Sequence, residues 1–197
     1  ALMFPTNDFE SIQAELISHT IIPKARLRRY RSKSGKEPYY QFSLQSQIKP
    51  YREFSRIDAM LDSYQGEFEV FALPNPMISH KAKTGLYLYQ AANKGADTIV
   101  LGGVPSSEID AVIAGDFLQI NGSKKAYRVL SDANADAAGR VTVKLTQPLI
   151  QNYISPSTIK YGDAVEFQVS MTDRDSDATT ADKARWGSHY VELIEQR

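Results

Sequence analysis

The chain has 197 residues, 42% of them hydrophobic, with 23 basic and 23 acidic residues, three histidines and no cysteine. That length and apolar content suffice for one large or two small domains with a real core, and the cancelled charge leaves no global field to draw the protein to nucleic acid or to an anionic membrane. The lack of cysteine excludes disulfides, thiol nucleophiles and cysteine-based zinc sites.

No run approaches the roughly 18 apolar residues of a membrane helix, and the start ALMFPTNDF lacks the basic and apolar regions of a signal peptide. The product is therefore expected to be cytosolic when made. The first predicted element is a strand over residues 12–17, within FESIQAELI, where apolar residues partly alternate. Residues 24–32, KARLRRYRS, are the most basic segment, and an extended backbone sets Lys24, Arg26, Arg28 and Tyr30 on one face. The segment reads either as a solvated edge strand whose charges block edge-to-edge pairing, or as a basic face lining a channel, which matters only where neighbouring copies repeat it.

Residues 39–48 read as a strand with Tyr40, Phe42 and Leu44 on one face, expected to pair with the basic segment as a hairpin. Pro50 falls at the first position of a helix, and Tyr51, Phe54, Ile57, Leu61 and Tyr64 recur at spacings of three and four, predicting an amphipathic helix of about 15 residues. Gly66 stops it, and residues 67–73 (EFEVFAL) alternate as another strand before Pro74 and Pro76 end it.

The composition turns linker-like at residues 75–79, and residues 79–149 read as an inserted module. Strand-like segments at 85–89 and 98–101 precede a strand at 116–120, which meets Asn121-Gly122, the dipeptide of a type I′ hairpin turn. The chain returns over 125–130, passes a polar segment at 131–139, and then alternates Val141, Val143 and Leu145 with polar residues. About five short strands in roughly 65 residues make a small Greek-key barrel. Beyond it, 151–157 look irregular and 164–171 (AVEFQVSM) alternate again. Residues 172–187, TDRDSDATTADKARWG, carry almost nothing apolar before Trp186 and are expected to form a long exposed loop, with 188–195 as the return strand. The predicted architecture is mainly β (β-rich α+β): a discontinuous, sandwich-like domain from 1–78 and 150–197, with about six strands and one helix, plus an inserted barrel at 79–149.

Short motifs point to no chemistry. Asp132, Asn134 and Asp136, and likewise Asp173, Asp175 and Asp177, imitate the first positions of a calcium loop. Both sets lack the glycine at position 6 and the glutamate at position 12, so polar β-loops are the expectation and no metal is assigned. Gly102-Gly103 lacks the lysine of a phosphate loop and reads as a glycine turn. His19, His80 and His189 are scattered, with neither HExxH nor GxSxG, so no catalytic residue and no cofactor are assigned and the protein is not expected to be an enzyme. Tyr39, Tyr40, Tyr87 and Tyr89 read either as cross-strand packing or as a stacking platform for sugars or single-stranded nucleic acid, ligands of small barrels of this kind.

The order of parts resembles the distal tail proteins of phages with long, non-contractile tails, in the small type that carries an inserted barrel of the oligonucleotide/oligosaccharide-binding (OB) class. The resemblance rests on FESIQAELI, KPYREFSRIDAMLDSYQGEFEVFALP, AGDFLQINGSKKAYRVL, VTVKLTQPLI and AVEFQVSMTDRD, and covers nearly the whole chain. It implies a structural virion component at the tail tip: a homo-hexameric ring joining the tail tube protein to the hub or baseplate, with genomic DNA passing through its lumen and neither a membrane nor sequence-specific nucleic acid as partner. A ring closed by head-to-tail contacts needs two unlike patches. The candidates are the acidic segment with Asp173, Asp175, Asp177 and the anchor Trp186, and the basic edge with Lys24, Arg26 and Arg28, which in six copies would line the lumen. The large C-terminal carrier domain of some members is not expected here, so direct attachment of host-binding proteins is not implied.

Overall fold

The computed structural model describes residues 8–17, 20–21, 32–33, 38–64, 69–77, 80, 82–181 and 184–195. Its strands are β1 (Phe9–Ile17), β2 (Thr20–Ile21), β3 (Ser32–Lys33), β4 (Tyr39–Ser46), β5 (Lys49–Pro50), β6 (Phe71–Pro74), β7 (Tyr87–Leu88), β8 (Thr98–Gly102), β9 (Phe117–Ile120), β10 (Tyr127–Arg128), β11 (Val141–Lys144), β12 (Ile159–Tyr161), β13 (Glu166–Ala181) and β14 (Ala184–Glu195), with one helix, α1 (Tyr51–Ser63). The fold is a β-rich α+β fold. It divides into two compact units, one spanning Ala72–Gln168 and the other drawn from both ends of the sequence, Pro5–Phe71 and Val169–Arg197.

The discontinuous unit is built on antiparallel strands in the order β1-β4-β14-β13, with β5 against β14. The register puts Phe42 opposite Ala14 on one side and Leu193 on the other, and Leu44 opposite Ile12 and Val191, so the alternation seen in the sequence builds one apolar face. Phe42, Leu44, Val191 and Leu193 are fully buried. Against β14 lies α1, which buries Phe54, Ile57 and Leu61 while Tyr51 stays exposed. Pro50 caps the helix from outside, at φ −55° and ψ 148°, where the sequence placed it at the first helical position. It still belongs to β5, paired with the backbone of Trp186, which holds it extended.

Three expectations are revised here. Among the described residues β4 pairs with β1 along its whole length and with β14 at residues 41–45, and Ser32–Lys33 pairs with Thr20–Ile21; residues 24–31 of the basic segment lie outside the described residues. Residues 172–181 and 184–187 are no loop either: β13 and β14 pair from Val169↔Glu195 to Ala181↔Ala184. A polar sequence can make such a ribbon because ladder hydrogen bonds satisfy its backbone without burial of side chains. One bulge interrupts the ladder between Met171 and Asp173. It shifts the pleat by one residue, so Arg174, opposite Val191, takes the helix-facing side and bonds Asp58 and Asp62 of α1. Strand β6 is shorter than expected, starting at Phe71, and it includes Pro74.

The inserted unit is a closed barrel. Two three-stranded antiparallel sheets, β10-β9-β12 and β11-β8-β7, supply the six strands. One seam is joined at Val129↔Leu145 by Leu130 N–H to Lys144 O (2.8 Å) and Thr146 N–H to Arg128 O (2.9 Å). The other is joined at Tyr87↔Thr158 by Leu88 N–H to Ser157 O (2.8 Å) and Ile159 N–H to Leu86 O (3.0 Å). The cyclic order β7-β8-β11-β10-β9-β12 contains a Greek key, since β8 connects across to β9 and the meander β9-β10-β11 returns beside it. Leu88, Leu101, Leu118, Ile120, Tyr127, Val143 and Tyr161 are among its fully buried core residues. Five of these strands fall inside 79–149. The sixth, β12, pairs with β9, and with it the compact unit extends to Gln168.

The turn at Asn121-Gly122 also differs from expectation. Gly122 has φ +83°, but Asn121 is not among the residues with positive φ, so this is not a type I′ turn; Ser123 N–H closes it onto Ile120 O at 2.9 Å. Gln119 and Ile120 pair with β12, and the ladder to β10 starts only at Leu118↔Tyr127. Glycine is required at Gly103, where φ is +88° and a Cβ would stand 2.1 Å from the carbonyl oxygen of Gly85. Left-handed backbone alone costs a non-glycine residue about 1–2 kcal/mol, so Gly103→Ala should lower the barrel's unfolding midpoint clearly, and an unchanged melting curve would contradict this geometry.

Candidate binding groove on the barrel

The outer face of the sheet β7-β8-β11 and the loop that follows β10 frame a shallow groove of about 500 Å³. Val100 and Thr142 pair across β8 and β11 and form part of its lining, with Tyr89 directly beyond β7 and tied to β8 by its N–H to Val100 O, 2.8 Å. The other wall is the segment 131–140. Here Asp136 Oδ1 accepts the backbone N–H groups of Ala138 (2.8 Å) and Arg140 (2.9 Å), while Oδ2 accepts Arg140 Nε and Nη2, both at 2.8 Å. Four short hydrogen bonds use the carboxylate fully. The Arg140 backbone amide and then its guanidinium hold the Asp136 carboxyl below its usual range. The contact with Asp136, and after it Tyr89, raises Arg140. A depressed carboxyl contributes its stabilisation above the unfolded-state value and loses it only as pH falls through the folded one, so this ion pair stays intact at neutral and mildly acidic pH. The clamped guanidinium then lies over the Tyr89 ring, 5.5 Å from its centroid.

The predicted tyrosines separate into distinct roles. Tyr40 is buried and tilted against Phe42 at 6.3 Å, and so packs the sheet. Tyr87 lies flat over Gly102, its cross-strand partner, where a Cβ would come within 2.7 Å of Cζ; the glycine leaves room for the ring to cover the strand. Tyr89, 40% exposed, is the barrel tyrosine that lines the groove.

The first calcium-like set is a row of loop staples. Asp132 Oδ1 accepts Ala114 N–H (2.7 Å), Asn134 Oδ1 accepts Asp110 N–H (2.8 Å), and Asp136 clamps Arg140. Asp173, Asp175 and Asp177 lie at every second position of β13, opposite Glu192, Tyr190 and Ser188. On an extended strand such positions are about 7 Å apart, a spacing that does not wrap a cation. Among the described residues no group of three or more His, Asp or Glu is placed to hold a metal ion. The backbone of Trp186 pairs with Thr179 and Pro50. Lys24, Arg26, Arg28 and His19 lie outside the described residues.

One constellation was not legible in sequence. The carboxylate of Asp116, buried at 3% exposure, takes His80 Nδ1 at 2.9 Å and Tyr161 Oη at 2.6 Å on Oδ2, and His80 N–H at 3.2 Å on Oδ1. Burial, and then the bond to Asp116, pushes the Tyr161 phenol up, so it remains a hydrogen-bond donor. Asp163 N–H reaches the carbonyl of His80 at 3.1 Å, so the whole group fastens the chain's entry into the barrel. The separation of 36 positions between His80 and Asp116 leaves no local spacing that would announce the pair. His189 also packs structurally, stacked on Phe54 at 4.3 Å with Nε2 at 3.2 Å from the Phe54 carbonyl.

The chain matches no protein-family model and no curated protein sequence.

Proposed function

We propose that this protein is a ring-forming structural subunit of a long, non-contractile phage tail, a homo-hexamer placed between the tail tube and the tail-tip hub, carrying no active site. The observation that supports the reading most is that the discontinuous unit has two unlike borders. On one side the β13–β14 ladder continues past the pairs with β4, at Tyr190–Ile194, and with β5, out to Ala181↔Ala184 as a polar two-stranded ribbon. On the other side β1 pairs, among the described residues, with β4 alone, and its residues 13–16 are exposed, Leu16 at 39%. A head-to-tail ring needs such a pair of different surfaces, and an unpaired strand edge is a ready template for a neighbour. The sequence's order of parts adds to this.

The ribbon supplies reach and Trp186 supplies the apolar anchor, since aromatic anchors carry most interface energy while exposed ion pairs contribute only about 0–1 kcal/mol each. Sedimentation or native mass measurement should therefore find six copies in one particle. Trp186→Ala, or replacement of residues 180–185 by Asn-Gly, should weaken that assembly with the subunit still folded, and high salt alone should not disperse it. A protein that stays monomeric at every concentration, or a shortened ribbon that assembles normally, would sink the proposal.

A further inference from the structure

We infer that the groove on the barrel is a binding site for an uncharged saccharide chain. Its central stack, Asp136–Arg140–Tyr89, is fixed before any ligand arrives, because the carboxylate is anchored by two backbone amides and locks the guanidinium in turn. An aromatic ring 40% exposed, with a rigid guanidinium over it, matches a pyranose, whose C–H face stacks on the exposed part of the ring while its hydroxyls take hydrogen bonds at the edge. Suitable edge groups are present. Asn134, Gln90 and Thr142 line the groove, and among the described residues the side-chain amide nitrogen of Asn134, the Gln90 amide and the Thr142 hydroxyl are engaged in no hydrogen bond within the protein.

Charge decides between the two ligand classes that small barrels bind. The groove's charged lining residues are Asp136 and Arg140, and their charges cancel, +1 and −1, in a saturated pair. Binding of single-stranded nucleic acid draws its strength from cations in excess that neutralise phosphates, together with base stacking. Here a phosphate would meet a spent guanidinium beside a carboxylate. A neutral polyol meets no such penalty. Asp136 acts as a positioning residue through Arg140; Tyr89, Asn134, Gln90 and Thr142 touch the ligand.

The test uses the full chain, isotope-labelled, titrated with a panel of neutral hexasaccharides built from glucose, mannose or galactose, and separately with a twelve-nucleotide oligothymidylate. At least one hexasaccharide should shift the amide signals of Tyr89, Gln90, Arg140 and Thr142 with saturable, salt-independent binding. Tyr89→Ala should weaken it about tenfold or more, the equivalent of about 1.4 kcal/mol, while Tyr89→Phe, which keeps the ring, should stay within a few-fold. Asp136→Asn should weaken binding while the melting curve still reports a folded barrel. No saccharide binding at millimolar concentration, binding that is unchanged in Tyr89→Ala, or tighter and salt-sensitive binding of the oligothymidylate would each overturn the inference. These outcomes concern the barrel alone and leave the ring assignment to its own test.

Discussion

Asp116→Ala is expected to destabilise the barrel by about 3 kcal/mol, the largest loss we anticipate from a single polar substitution. The mutation removes one buried carboxylate and strands three donors at once: His80 N–H, His80 Nδ1 and the Tyr161 hydroxyl. Each buried donor left without an acceptor costs about 1–3 kcal/mol, and partial access of water to His80, whose side chain is 57% exposed, moderates the sum. For a unit of this size each kcal/mol lowers the melting midpoint by roughly 4–8 °C. Asp116→Asn, which keeps acceptor capacity at one oxygen, should lose less. A midpoint for Asp116→Ala within a degree or two of the parent would show that the entry segment is held by something else.

Phe42→Ala is expected to have an effect of similar or greater size on the other unit, about 3–5 kcal/mol for loss of a buried aromatic side chain. Phe42 has no exposed surface, lies between Ala14 and Leu193 across two strand pairs, and sits on the strand that joins the first part of the sequence to the last. Its void is bounded by ladders on both sides, which limits collapse of the sheet around it. The diagnostic is calorimetry of the two variants. Phe42→Ala should lower the transition of the discontinuous unit, and Asp116→Ala that of the barrel. Identical effects of both substitutions on one undivided transition would refute the two-unit organisation.

The elements legible in the sequence were those whose residues alternate between core and solvent. Tyr40-Phe42-Leu44, Val141-Val143-Leu145 and Phe54-Ile57-Leu61 each announced period and buried face, and the structure buries all nine. The ribbon at 172–187 was illegible for the complementary reason: its order comes from a backbone ladder that any side chain permits, so its polar composition resembled that of a loop. The barrel's sixth strand escaped because three residues, Ile159–Tyr161, are too few to show a period, and its addition moves the unit's end from 149 to 168. At the groove, Tyr89 was visible as an aromatic in a strand. Arg140 and Asp136, four positions apart, carry no such signal, because the clamp depends on a turn in which one carboxylate meets two amides of its own loop. Asp116 and His80 depend on barrel closure, which brings distant backbone together.

The discontinuity of the outer sheet has a consequence for how the chain is made. Strand β14 lies between β4 and β13, and contacts such as Gln41 with Glu192 span 151 residues of sequence. During synthesis, β1, β4 and α1 leave the ribosome long before their central partner exists, whereas every strand of the barrel is available once residue 168 has emerged. Closing such distant pairs is entropically slow. The nascent chain therefore passes through a stage with a finished barrel and an open half-sheet whose β4 border is bare, the form most exposed to aggregation and most in need of chaperone protection.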